Sequence, residues 1–203
     1  MSMALRSAVR GFTFVELLVV IAIMSVLLGV AMPQFGEMLA ARRVQNVANS
    51  LAAAYKTAQA EAIRRNRTVE VVFTSTTPLA ANTVAAAPVT ASAARHWISR
   101  TVNPASAADF VGGQSLTGDL SNVTLANANL RSVGFTPTGR PLDLSAGVPA
   151  ALAGPLVIPV SATGTTRRLC VAVNTGGAVR VCDPARASGT STACQPALPA
   201  GAC

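Results

Sequence analysis

Gly11-Phe-Thr-Phe-Val-Glu-Leu-Leu-Val-Val-Ile-Ala-Ile-Met-Ser-Val-Leu-Leu-Gly-Val-Ala-Met-Pro33 is the stretch around which the rest of the chain must be arranged. From Phe12 to Met32 it is apolar except for Thr13, Ser25 and one carboxylate, Glu16. A run of about 20 apolar residues, each rising ~1.5 Å along a helix, spans the ~30 Å hydrocarbon core of a bilayer. Arg6 and Arg10 precede it in a leader without an acidic residue, which keeps this end cytoplasmic. A secretory signal carries its small-residue cleavage site after a shorter apolar region. Here the small residue, Gly11, comes before the run, so a cut after Gly11 removes the basic leader and leaves the helix in place.

Glu16 is the anomaly. A carboxylate within a membrane helix costs a few kcal/mol and marks a functional position awaiting a partner. After a cut at Gly11 it is the fifth residue of the mature chain, and Phe12 carries a new α-amino group. A helix cannot easily fold that amine back onto its own fifth side chain, whereas a neighbouring subunit can present one.

Gly11, Phe12, Thr13 and Glu16, followed by the apolar run and Pro33, resemble the class III leader and N-terminal helix of type IV pilins and type II secretion pseudopilins. The resemblance implies that a prepilin peptidase cuts after Gly11 and methylates Phe12, and that Glu16 supports subunit docking. It also implies a proline at the place of Pro33, where loss of a backbone donor predicts a kink.

The chain has 203 residues and a formal charge of +8, falling to +6 once Arg6 and Arg10 leave. Lys56 is the sole lysine; the other basic residues are arginines. With about 50 residues in leader and helix, roughly 150 remain for one globular domain with a real core. Beyond Pro33 the residues Val44, Val47, Ala48, Leu51, Tyr55, Ala58 and Ala62 recur at three- and four-residue intervals, an apolar stripe for packing on that domain. The division expected is a leader over 1–11, a pilin helix over 12–66 with its transmembrane part at 12–32, and a β domain over 67–203.

Strands are expected at 68–74, 96–102 (with Trp97 as core anchor), 122–125, 132–135 and 156–160. A hairpin follows, 167–173 and 178–182, around Asn174-Thr175-Gly176-Gly177. Ser75–Ala94, rich in Ala, Thr and Pro, reads as a mobile loop or an irregular edge, and 103–114 as a loop. His96 reads as a surface or satisfied histidine. The stretches AQAEAIRRNRTVEVVF, VGFTPTGRPL and RRLCVAVNTGGAVRVCDP resemble the GspH/FimT group of minor pilins and pseudopilins. That resemblance implies an α+β fold, a long N-terminal helix packed on antiparallel sheet, and favours the FimT-like minor pilin side.

Cys170, Cys182, Cys194 and Cys203 show no CxxC spacing and the only histidine is distant, so zinc is not expected. Export to an oxidising compartment makes two disulfides the natural reading. A three-residue loop at 175–177 sets Cys170 opposite Cys182, where the two can bridge across the strands. A four-residue loop shifts the register, favouring Cys182 with Cys194 and Cys170 with Cys203. The second arrangement is favoured because it ties the Pro-containing tail to the sheet twice.

No Ser/His/Asp context, HExxH, P-loop or paired-carboxylate motif is present, so neither an enzyme nor a cofactor is expected. The reading is a minor type IV pilin, held as a single-pass inner-membrane protein with a periplasmic domain before it enters a surface pilus with other pilins. Two alternatives stand beside it. One is a type II secretion pseudopilin. The other is a DNA-uptake pilin: FimT-like DNA binders carry Gly-Arg-x-Arg, and Gly177-Ala178-Val179-Arg180 stands at the matching place. Arg180 matches its second arginine and Ala178 replaces the first. Arg167, Arg168 and Arg186 are candidate phosphate contacts, each adding a counterion-release term.

Overall fold

The computed structural model describes residues 12–187, 189–194 and 203, and among these the side chains of 30–34 are excepted. Gly11 and the leader lie outside the described residues. Two compact units are found, Met1–Met38 and Leu39–Cys203, each considered by itself below.

The helix α1 runs Phe14–Arg65. Thr13 caps its start: its hydroxyl accepts the Glu16 N–H at 3.2 Å and its carbonyl the Leu17 N–H at 3.2 Å. The end is equally defined. Asn66 takes a left-handed conformation, φ 51°, its N–H bonds to Ile63 C=O, and Arg67 N–H reaches back to Ala62 C=O. That pair of bonds is a Schellman stop, and asparagine is the residue besides glycine that tolerates the required φ.

In the second unit ten strands are described. They are β1 Val69–Thr74, β2 His96–Thr101, β3 Phe110–Ser115, β4 Val123–Leu125, β5 Ser132–Phe135, β6 Pro141–Asp143, β7 Ala150–Ala151, β8 Leu156–Ala162, β9 Leu169–Val173 and β10 Val179–Cys182. All pair antiparallel, in a six-stranded sheet of order β3-β2-β1-β5-β6-β7 and a four-stranded sheet of order β10-β9-β8-β4. The helix stripe from Val44 to Ala62 is buried, and it joins Val69, Val71, Phe73, Val133 and Phe135 of the first sheet in one apolar cluster with Ile158, Val160, Val171 and Val173 of the second. Tyr55 meets Phe135 edge to face at 6.3 Å. Trp97 is buried in the same cluster. The fold is therefore α+β, a helix packed on antiparallel sheet.

Two expectations about loops need correcting. The segment 103–114 contains most of β3, whose glycines Gly112 and Gly113 hide it from a reading by β-branched runs. Gly113 is needed there, since a Cβ would lie 2.5 Å from Pro78 Cβ and 2.9 Å from the Trp97 carbonyl. The Ala-rich segment 75–94 is packed rather than loose. Thr83, Ala86 and Ala91 are buried, Val89 N–H bonds to Phe73 C=O, and Ala91 N–H to Leu130 C=O. Small side chains let this segment lie flat over the outer face of β1, all six of whose residues are buried.

That cover explains a buried ion pair. Glu70 on β1 and Arg100 on β2 face each other across the ladder, with Arg100 Nε donating to Glu70 Oε1 at 3.0 Å and Nη1 to the Thr83 carbonyl. Both side chains are buried, so each depends on the other for its charge. Asp109 plays a comparable part on a short helical turn. Its carboxylate accepts Thr101 Oγ1 at 2.6 Å and the N–H groups of Ala105 and Ser106, and lies 3.3 Å from Arg67. These bonds, that of Thr101 first, hold its pKa down to about 2.

Candidate functional site

Two places carry the residues singled out by sequence, and a third joins the two sheets. The first is the start of α1. Phe12 is 81% exposed, and Phe14, Val15, Leu17, Leu18, Val19, Ile21, Ile23, Met24, Leu27 and Leu28 are exposed as well. An apolar surface of this extent on one helix calls for lipid or other helices to cover it. Glu16 interrupts it, in the first turn and exposed, with its backbone N–H already held by Thr13. The sequence T-x-x-E at 13–16 is a capping-box pattern, of which the Thr13 half is made. The helix continues through Pro33, whose side chain is outside the description, so the expected kink is untested. Among the described residues no helix is long and apolar enough to cross a membrane. The expected span at 12–32 includes 30–32, whose side chains are not described.

The second place is the β9–β10 hairpin. Asn174 N–H bonds to Ala178 C=O at 2.9 Å and Gly177 N–H to Asn174 C=O at 2.8 Å. Gly177 has φ 89°. This is a three-residue loop with a left-handed glycine closing the turn, not the four-residue loop favoured above. Cys170 therefore stands opposite Cys182. The bonds nevertheless join Cys182 to Cys194, Cα atoms 4.8 Å apart, and Cys170 to Cys203, 6.1 Å apart. The register argument for that pairing fails. Counting from the bonded pair Asn174/Ala178, Cys170/Cys182 is again a hydrogen-bonded pair, in which side chains stand farther apart than in the alternate kind.

Of the four arginines proposed as phosphate contacts, three line two cavities that share Val181 and Cys182. Arg180, exposed on β10, lines a cavity of about 380 Å³ with Lys56, while Arg167 and Arg186 line another of about 210 Å³. Arg167 also donates to Gln45 Oε1 on α1 at 3.2 Å, and Arg186 lies 3.9 Å from Asp183. Arg168 is exposed and precedes β9, which begins at Leu169.

The third place was not anticipated. The β5–β6 turn repeats the β9–β10 turn bond for bond, with Thr136 N–H to Arg140 C=O at 2.9 Å, Gly139 N–H to Thr136 C=O at 2.8 Å, and Gly139 at φ 77°. Gln59 of α1 donates to the Gly139 carbonyl at 2.8 Å. A Cβ on Gly177 would lie 2.6 Å from that same carbonyl and 2.5 Å from Gln59 Nε2. One turn from each sheet and one helix side chain thus lock together. The signal was present, since T-P-T-G-R and N-T-G-G-A place glycine at the same loop position, but nothing local says that the two turns meet.

Elsewhere His96 is buried, with Nδ1 lacking a partner among the described residues, and burial lowers its pKa. It is neither a surface histidine nor a satisfied one. No group of His, Cys, Asp or Glu able to hold a metal ion occurs among the described residues.

Comparison with known proteins gives two family matches. The model for GspH, described as type II transport protein GspH, matches residues 47–177, and that for the prokaryotic N-terminal methylation motif matches 6–32. The first covers the helix stripe from Val47 onward and the turn glycines Gly139 and Gly177. No curated protein matches in sequence. Among solved structures, the type IV minor pilin FimU of Pseudomonas aeruginosa is similar in two crystal forms. One is 13% identical with a TM-score of 0.48, covering 73% of this chain and 95% of FimU; the other is 15% identical at 0.45, covering 72% and 98%. The methylation motif implies processing by a prepilin peptidase and assembly with other pilins. With a GspH match over more than half its length behind such a motif, the chain belongs to the GspH family and is a structural subunit of the pilin kind.

Proposed function

We propose that this subunit is a minor type IV pilin, cut after Gly11, methylated at Phe12, and docked into a filament through the first half of α1. The observation that carries the reading is the exposed apolar surface from Phe14 to Leu28 with Glu16 as its one ionisable group. Such a surface is covered by lipid before assembly and by neighbouring helices after it. In that low dielectric a carboxylate and the α-amino group of an adjacent subunit attract strongly and neutralise each other's cost. The protein is then held in the inner membrane with Leu39–Cys203 on the periplasmic side, and reaches the cell surface with the pilus.

The name of the matched family supports a second reading, a subunit of a type II secretion pseudopilus, built by the same docking. DNA uptake has no comparable support: Ala178 stands in place of the motif's first arginine. The test is Glu16→Ala expressed in the native cell. The variant is expected to be cut after Gly11, as N-terminal sequencing would read, yet to be depleted at least about tenfold from sheared pili, about 1.4 kcal/mol of lost docking. Normal recovery of the variant in pili would show the carboxylate dispensable. Recovery only in a secretion-dependent filament would favour the second reading.

A further inference from the structure

Strand β10 closes one side of the four-stranded sheet, with β9 on its inner side. Successive residues of a strand turn their N–H and C=O groups to opposite sides. Ala178 C=O faces Asn174, so Arg180 and Cys182 also face β9, while Val179, Val181 and Asp183 face outward. The tail already uses this outer edge. Asp183 N–H bonds to Thr192 C=O at 2.8 Å, and Asp183 bridges Ala193 in the parallel sense, beside the Cys182–Cys194 bond. Among the described residues the outward N–H and C=O groups of Val179 and Val181 have no hydrogen-bond partner.

The cavities of about 380 and 210 Å³ flank this short open edge and share Val181 and Cys182 as lining. Lys56 and Arg180 border the larger, Arg167 and Arg186 the smaller, and Asp183 is the one acidic residue among the described lining of either. An unpaired edge invites a further strand. The surrounding cations select which strand.

We propose that the outer edge of β10 receives an extended, carboxylate-bearing segment of a neighbouring pilin subunit, added as an extra strand beside Val179–Val181. This rests on the pilin reading and adds a partner surface distinct from the helix docking. Main-chain hydrogen bonds to Val179 and Val181 supply the register, and alternate acidic side chains meet Lys56 and Arg180. A peptide fits this edge better than a nucleic-acid backbone. The outward carbonyls of Val179 and Val181 require N–H donors, and phosphodiester oxygens only accept.

The experiment uses the full chain in detergent micelles. The probe is an acetylated, amidated peptide of sequence Thr-Glu-Val-Glu-Val-Thr, with a version carrying Lys for Glu and a short duplex DNA as comparators. Amide hydrogen exchange is followed at Val179 and Val181. With the acidic peptide at ten times its dissociation constant, exchange at both amides is expected to slow about tenfold, while the Lys version at the same concentration leaves it unchanged. Val181→Pro removes an outward N–H without removing a bond to β9, and should abolish protection at Val179. Arg180→Glu, which leaves the backbone alone, should weaken peptide binding if the proline variant fails to fold. Exchange unchanged by the peptide at millimolar concentration overturns the proposal, as does protection by DNA in preference to the peptide. The two readings fail separately: absence of the unmodified protein from filaments sinks the pilin assignment, whereas unprotected Val179 and Val181 sink the edge site.

Discussion

Gly176→Ala and Gly177→Ala differ by one position and should differ by several-fold in cost. At Gly176 an added Cβ meets nothing within 4 Å, and its φ is not in the left-handed region. Alanine there loses no contact and lowers the entropy of the unfolded chain, so the expected change is within about 0.5 kcal/mol of zero. At Gly177 φ is 89°, which costs an L-residue roughly 1–2 kcal/mol. The same Cβ would sit 2.6 Å from the Gly139 carbonyl and 2.5 Å from Gln59 Nε2. A side-chain amide can swing away, but the carbonyl belongs to the backbone of a second tight turn, and overpacking of this kind adds about 1–3 kcal/mol. Allowing for the unfolded-state gain, the net loss should be about 3 kcal/mol, or roughly 6–12 °C in Tm for a unit of this size. Urea and thermal unfolding of the two disulfide-intact variants under identical conditions would measure it. Adding Gln59→Ala should relieve only the smaller part of the Gly177→Ala penalty, since the carbonyl contact remains. Equal stability of the two alanine variants would refute the interlock of the turns.

Two further outcomes follow from the buried charges. Glu70→Ala should cost about 3–5 kcal/mol in urea unfolding because it strands Arg100 in a buried site, and a Glu70→Ala, Arg100→Leu double variant should recover much of that loss. Asp109 titrates at about 2 in the folded protein against an ordinary 3.8, so between these values the unfolded chain binds more protons. Its contribution is complete above pH 3.8 and disappears as pH falls toward 2. Asp109→Asn should therefore flatten the stability profile between pH 4 and 2 relative to the parent, and an unchanged slope there would count against the assigned hydrogen bonds.

Where hydrophobic periodicity speaks, the sequence was legible. The stripe from Val44 to Ala62 names the buried face of α1, and the Val-rich runs at 69–74 and 169–173 name central strands. Strands broken by glycine or proline, or built of alanine, were invisible. β3 contains Gly112 and Gly113, β6 begins at Pro141, and β7 is two alanines. Each is held by its neighbours' unpaired backbone rather than by its own propensity, which is how tertiary context overrides local preference. The Ala-rich stretch after β1 failed for a related reason. Small residues read as loose in isolation, but they are what can lie close over Glu70 and Arg100. The proposed positions Gly11, Phe12 and Glu16 come from sequence spacing alone, whereas Gln59 and Gly139 meet Gly177 across the fold and no local pattern names them.

The disulfides show how a correct pairing can be reached from a wrong register. A register that sets Cys170 opposite Cys182 allows a bridge between them. The structure holds that register and still sends each cysteine to the tail. Facing residues share one side of the sheet, so both thiols are presented to whatever crosses that side, and the parity of hydrogen bonding then decides whether they reach each other. With Asn174/Ala178 as a bonded pair, every second pair outward is bonded too, and Cys170/Cys182 falls on that set. Two cysteines on one face of a sheet at a pair unsuited to bridging are two anchor points. The Cys182–Cys194 anchor brings Ala193 against Asp183 and so covers one end of the β10 edge, leaving the outward groups of Val179 and Val181 unpaired among the described residues between that cover and the Gly177 turn. The extent of edge left for a neighbouring subunit is thus set by where Cys194 falls in the tail.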